Sequence, residues 1–288
     1  MRDSLRLGSI RGITIGLHWS ILIVAALFTL TLSGAILPAV APGYAGGAYT
    51  LMALATAVVF FASIVAHELG HAIVAQRNGI GVSGITLFAL GGVAKLEREP
   101  DDAGAAARIA LAGPAVSVAI GVLGGLGALV AGGLGLPTLL AAGIGWLGVI
   151  NLGMAVFNMI PALPLDGGRT LQAYLWHRQG DRERATISAA GVGRFLGLAM
   201  VAFGVWQFLN GGAGLWFALI GWFIMSSARA EATRARFELR RREWAPPTWA
   251  QWLLDPNPNQ ARPAYHDAPP PNAADRYDVV DVTGRQVG

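Results

Sequence analysis

Between Arg11 and Arg77 the chain carries a single charged side chain, Glu68, and it stands between two histidines in Ala66-His67-Glu68-Leu69-Gly70-His71. The uncharged sequence around it is long enough for membrane-spanning helices, which need about 20 apolar residues each. An ionisable group inside such a run is costly and marks a functional position. Two imidazoles four residues apart on a helix share one face and reach one metal ion. A glutamate beside them is placed to take a proton from the attacking water rather than to bind the ion. The expectation is a zinc-dependent hydrolytic site set inside a membrane.

With 54% hydrophobic and 13% charged residues and a mean hydropathy of +0.51, the chain holds more apolar surface than one soluble core would use. The expected fold class is an α-helical polytopic membrane protein. Apolar runs predict about six transmembrane helices, near residues 17–37, 50–76, 110–131, 138–163, 187–209 and 213–229. Turn residues punctuate the joints at Pro38 to Gly47, Gly132 to Pro137, and Asn210-Gly211-Gly212.

Basic residues fall on alternate joints. Arg2, Arg6 and Arg11 precede the first span, and Arg77, Lys95, Arg98 and Arg108 follow the second. Arg169, Arg178, Arg182 and Arg184 follow the fourth, and Arg229 to Arg242 follow the sixth, whereas the other joints are uncharged. Arginine excess marks the cytoplasmic side, so both termini are expected in the cytoplasm of a multi-pass cell-membrane protein. The first span is too long for a signal peptide ending at Ala39-Val40-Ala41, and Pro42 follows that site. Arg194 in the fifth span is read as snorkelling to the interface rather than as an intramembrane functional charge.

The chain divides into an expected core, residues 1–235, and a proline-rich tail, residues 236–288. From about residue 244 the polar, proline-laden sequence predicts a flexible cytoplasmic extension, with Trp244, Trp249 and Trp252 as alternative anchors at the interface.

There is no cysteine, so a transition-metal site must be built from histidine and carboxylate. A hydrolytic zinc site usually takes three protein ligands, and no charged residue lies between Arg108 and Asp166. Asp166 ends the run Asn158-Met159-Ile160-Pro161-Ala162-Leu163-Pro164-Leu165-Asp166 at the expected depth of the histidines. Pro161 and Pro164 unwind the backbone there, as suits the wall of a watery cavity. Its other reading is a plain turn residue before Gly167-Gly168.

His67 to His71, Gly91-Gly92 within Leu87 to Ala94, Ala112-Gly113-Pro114, and Asn158 to Gly168 together resemble the site-2 protease family of intramembrane zinc metalloproteases. The motifs occur in the family's order across about residues 12–235. The resemblance implies His67, His71 and Asp166 as ligands of one zinc ion per chain, Glu68 as catalytic base, and Asn158 as a contact to substrate or oxyanion. It also implies a small membrane-associated β-hairpin between spans two and three. In that hairpin Ile85, Thr86, Leu87, Phe88, Gly91 and Gly92 would present a substrate strand by β-augmentation.

Ser117 stands where the family often has asparagine. The joint between spans two and three is too short for a PDZ domain, and the tail for paired CBS domains, so a compact core is expected. Substrates would be single-pass membrane proteins cut within or near their transmembrane segment, with an anti-sigma factor as one class that bacterial relatives suggest. The lipid bilayer is the other expected partner, and no nucleic acid is expected. Two alternatives use the same residues: a metal or proton transporter, and an inactive relative that binds membrane partners. His18 is read as an interfacial or outer-shell residue, and the glycines from Gly121 to Gly135 as close packing between spans.

Overall fold

A computed structural model describes residues 5–89 and 91–243. The chain divides into a unit Met1–Ala235 and a unit Arg236–Gly288. Only residues 236–243 of the second unit are described, as helix, so the expected flexible tail and its tryptophans lie outside the described residues.

The first unit begins with two strands, β1 (Leu5–Ile10) and β2 (Ile13–Leu17), joined at Arg11 and Gly12, both with positive φ. Next come α1 (Ser20–Thr31), a π-helical turn at Leu32–Ile36, and α2 (Leu37–Val40), together one 21-residue apolar stretch. Helix α3 (Gly46–Arg77) follows, then strands β3 (Val82–Phe88) and β4 (Gly91–Leu96). The remaining helices are α4 (Ala103–Gly133), α5 (Thr138–Asn158), α6 (Asp166–Gln179), α7 (Arg182–Leu209) and α8 (Leu215–Glu243).

Five stretches among the described residues are long and apolar enough to cross a membrane: Ser20–Val40, α3, α4, α5 and α7. The sixth expected span falls on α8, whose apolar portion is interrupted by Arg229 and Glu231. The fourth span stops at Asn158 rather than running to residue 163, because Pro161 and Pro164 withhold backbone donors from a continuing helix. The polar joints carry their own stop and start signals. Asn78 closes α3 by donating from Nδ2 to Val74 O at 2.7 Å, and Gly79 follows with φ +73°. Asp102 and Asp181 cap α4 and α7 by accepting from Ala105 and Arg184 backbone N–H groups, each at 2.8 Å.

The four strands form one mixed sheet in the order β1-β2-β3-β4. The expected hairpin is present as β3 and β4, but β2 pairs in parallel with β3 along Thr14 to Leu17. Ile85 to Leu87 are therefore paired on both sides, and among the described residues the outer strands are β1 and β4. This departs from the expectation of an open edge at Ile85 to Phe88: β2 pairs with β3 as far as Leu87. The sheet's inner face packs Ile13, Val82, Ile85 and Leu87 against Ala72, Ala75 and Ile109 of the helices. That core fixes the sheet against the end of α3 that bears the histidines.

Helices α4 and α5 are packed almost backbone to backbone. A Cβ at Gly148 would lie 2.7 Å from Gly125 N and 2.9 Å from Gly121 O. The glycines Gly121, Gly124 and Gly148 thus serve contact between spans, where small residues allow close approach.

Candidate metal centre

Helix α3 carries His67 and His71 on one face, and the start of α6 brings Asp166 to them. His67 Nε2 lies 3.2 Å from His71 Nε2 and 3.2 Å from Asp166 Oδ2, and His71 Nε2 lies 3.3 Å from the same oxygen. The side chains are 4%, 12% and 13% exposed, so little water competes for them. These are the one group of at least three histidine and carboxylate donors found among the described residues.

The outer ring nitrogens determine how the inner ones can act. His71 Nδ1 donates to Ile109 O at 2.6 Å, because a carbonyl only accepts, and Nε2 is left as a lone-pair donor. His67 Nδ1 pairs with Ser117 Oγ at 2.8 Å, which fixes the ring's orientation and accommodates the same tautomer, since a hydroxyl can accept or donate. With both rings neutral and their Nε2 atoms unprotonated, two nitrogen lone pairs and a carboxylate oxygen converge, an arrangement that a cation completes. The donor set fits zinc: ligands at about 2.0 Å in a tetrahedron stand about 3.3 Å apart. The three measured separations match that edge.

Backbone contacts explain why glycines surround the centre. A Cβ at Gly167 would lie 2.3 Å from Met159 O, and one at Gly168 would lie 2.3 Å from Leu163 N. The loop after α5 therefore wraps onto the first turn of α6 and sets the position of Asp166. Gly70 lets α3 approach α4, since its Cβ would lie 3.0 Å from Ala112 O.

Glu68 is half-buried beside the triad and faces the sheet: a Cβ at Gly92 would lie 2.4 Å from Glu68 Cγ. Gly92 is the second residue of β4, the outer strand of the sheet among the described residues, and follows Gly91, whose φ is +129°. Asn158 ends α5, half-buried, and is not one of the grouped donors. His18 is also apart from the triad. Its Nδ1 pairs with Ser20 Oγ at 2.8 Å, and Ser20 Oγ accepts from Ala89 N at 3.1 Å, tying the β3–β4 turn to the start of α1.

Sequence reasoning passed over Ile109, named Gly113 only as part of the Ala112-Gly113-Pro114 motif without a role, and left Ser117 in doubt. Their parts depend on which face of α4 meets α3, and only the i, i+4, i+8 spacing of 109, 113 and 117 hints at a shared face.

Fold and site together define a helical membrane protein with an enclosed three-donor metal centre. Comparison with known proteins narrows that class. The model for peptidase family M50 matches residues 55–144 and 135–202. Rip3 of Mycobacterium tuberculosis, designated a zinc metalloprotease, is 44% identical over 236 residues, covering 81% of this chain and 60% of Rip3. The designated zinc metalloprotease sll0528 of Synechocystis is 39% identical over 82% of this chain and 62% of its own length. The solved site-2 protease from Methanocaldococcus jannaschii superposes with a TM-score of 0.51 and 31% identity, over 79% of this chain and 94% of that one. The chain belongs to peptidase family M50. It spans about 60% of the length of these curated relatives.

Proposed function

We propose that the chain is an intramembrane zinc metalloprotease that hydrolyses peptide bonds within or near the transmembrane segment of single-pass membrane proteins. The observation that carries this reading is the triangle of His67, His71 and Asp166 with Glu68 alongside, inside the apolar helix array. Zinc held there would supply Lewis acidity, polarising the scissile carbonyl and acidifying water.

The remaining steps belong to the chain's own groups. Ile109 O and Ser117 Oγ orient the two rings through their Nδ1 atoms. Glu68 accepts the proton of the attacking water and delivers it to the leaving amine. Asn158, at the mouth of the loop that carries Asp166, donates to the developing oxyanion. A substrate unwound to a strand joins the outer edge of β4, where Gly92 lies against Glu68. An apolar groove of about 920 Å³ between α1 and α3, lined by Leu22, Ala25, Phe61, Val65, Ala66 and Leu69, offers the substrate's helical part a side approach.

The alternation of arginine-rich and uncharged joints supports a cytoplasmic location for both termini. A membrane-anchored anti-sigma factor is a substrate class consistent with the bacterial relatives. Zinc content per chain in detergent-purified protein tests the centre. Wild type should hold about one zinc, the number such a three-ligand site binds, and Asp166→Ala should lose most of it. Full zinc in Asp166→Ala would break the three-donor constellation.

A further inference from the structure

Helix α4 presents Ile109, Gly113 and Ser117 to the metal helix on one face. The first and last hold the two rings from outside: Ile109 O accepts from His71 Nδ1 at 2.6 Å, and Ser117 Oγ meets His67 Nδ1 at 2.8 Å. Gly113 lies between these two clamps. A Cβ built there would fall 2.1 Å from His71 Nε2 and 2.6 Å from His67 Nε2.

We propose that Gly113 is the seat of the metal, a positioning residue whose missing side chain keeps open the space at coordinating distance from both ring nitrogens. This rests on the reading of His67, His71 and Asp166 as metal ligands. The rings cannot swing aside to admit a methyl group, because both are tied through Nδ1 to the same helix that would carry it. The helices cannot part cheaply either, since the backbones of Gly70 and Ala112 are in close contact. Nothing in local conformation asks for glycine at this position. Gly113 sits inside a regular helix without positive φ, where alanine is ordinarily the better helix former. The requirement comes from the donors it faces. Gly125 supplies the contrast on the same helix: a Cβ there meets nothing within 4 Å.

The test is zinc affinity of the full chain in detergent, measured by competition with a chromophoric chelator, together with thermal unfolding of the chelated forms. Gly113→Ala should bind zinc at least about tenfold more weakly, while Gly125→Ala, whose Cβ meets nothing within 4 Å, matches wild type in affinity and in metal-free unfolding midpoint. Ser117→Ala, which adds no bulk, should weaken zinc about 10- to 100-fold by removing the partner that orients His67. Wild-type affinity in folded Gly113→Ala overturns the inference. If that variant does not fold, unchanged affinity in Ser117→Ala overturns it instead. A wild-type chain that binds no zinc overturns the metalloprotease reading itself, and is distinguishable from either result.

Discussion

At the scale of single residues, the proposed mechanism divides the chemistry between binding and proton transfer. The candidate ligands lie at 67, 71 and 166, and Glu68, the proposed base, is turned towards Gly92 of β4. Glu68→Gln keeps the volume and loses the base. It should retain zinc while peptide cleavage in proteoliposomes falls about 100- to 10,000-fold. A variant that cleaves at the wild-type rate would remove Glu68 from the mechanism. His67 and His71 were legible as a metal-binding pair because a helix converts a spacing of four into a shared face. Asp166 was legible as a candidate because so few charged residues compete with it. The places of Ser117 and of the motif residue Gly113 were not, because a serine or glycine in an apolar helix acquires meaning only from what packs opposite.

At the scale of elements, the sheet differs most from expectation. The hairpin of β3 and β4 was foreseen, yet residues 5–17 read as a basic lead-in to the first helix. Their period-two pattern at Leu5, Leu7, Ile13, Ile15 and Leu17 was available as a strand signal, although runs this short are ambiguous. Helix α6 was likewise read as a joint, since its 14 residues are too polar and short to span. The parallel pairing of β2 with β3 leaves β4 as the edge that faces Glu68. Gly92→Ala would press a methyl group onto Glu68 and displace it without touching the ligands. Cleavage should drop by about 100-fold, the scale of a misplaced catalytic group, at unchanged zinc content. Loss of zinc in this variant would mean that the sheet supports the ligands rather than the base.

At the scale of the whole molecule, the helix array sets depth and orientation. The chain has no cysteine, so a single introduced thiol reports the side on which it lies. In intact cells an impermeant maleimide should label Gly133→Cys, in an uncharged joint, and spare Asp101→Cys, in a basic one. The reverse pattern would invert the proposed topology. Helix-by-helix order was readable from hydropathy, and the meeting of Asp166 with His71 and with His67, 99 residues away, from shared depth and the family motif, whereas the packing of α6 on α4 was not. That separation bears on biogenesis. As the chain emerges, the first four apolar stretches can enter the membrane and pack while only two donors exist. A site needing three donors is complete only after Asp166 has been synthesised and α6 has packed onto α4, which brings Asp166 to His67 and His71 of α3. The nascent chain is therefore born without a complete donor set, and on the proposed reading hydrolytic competence is withheld until most of the core that encloses the site is in place.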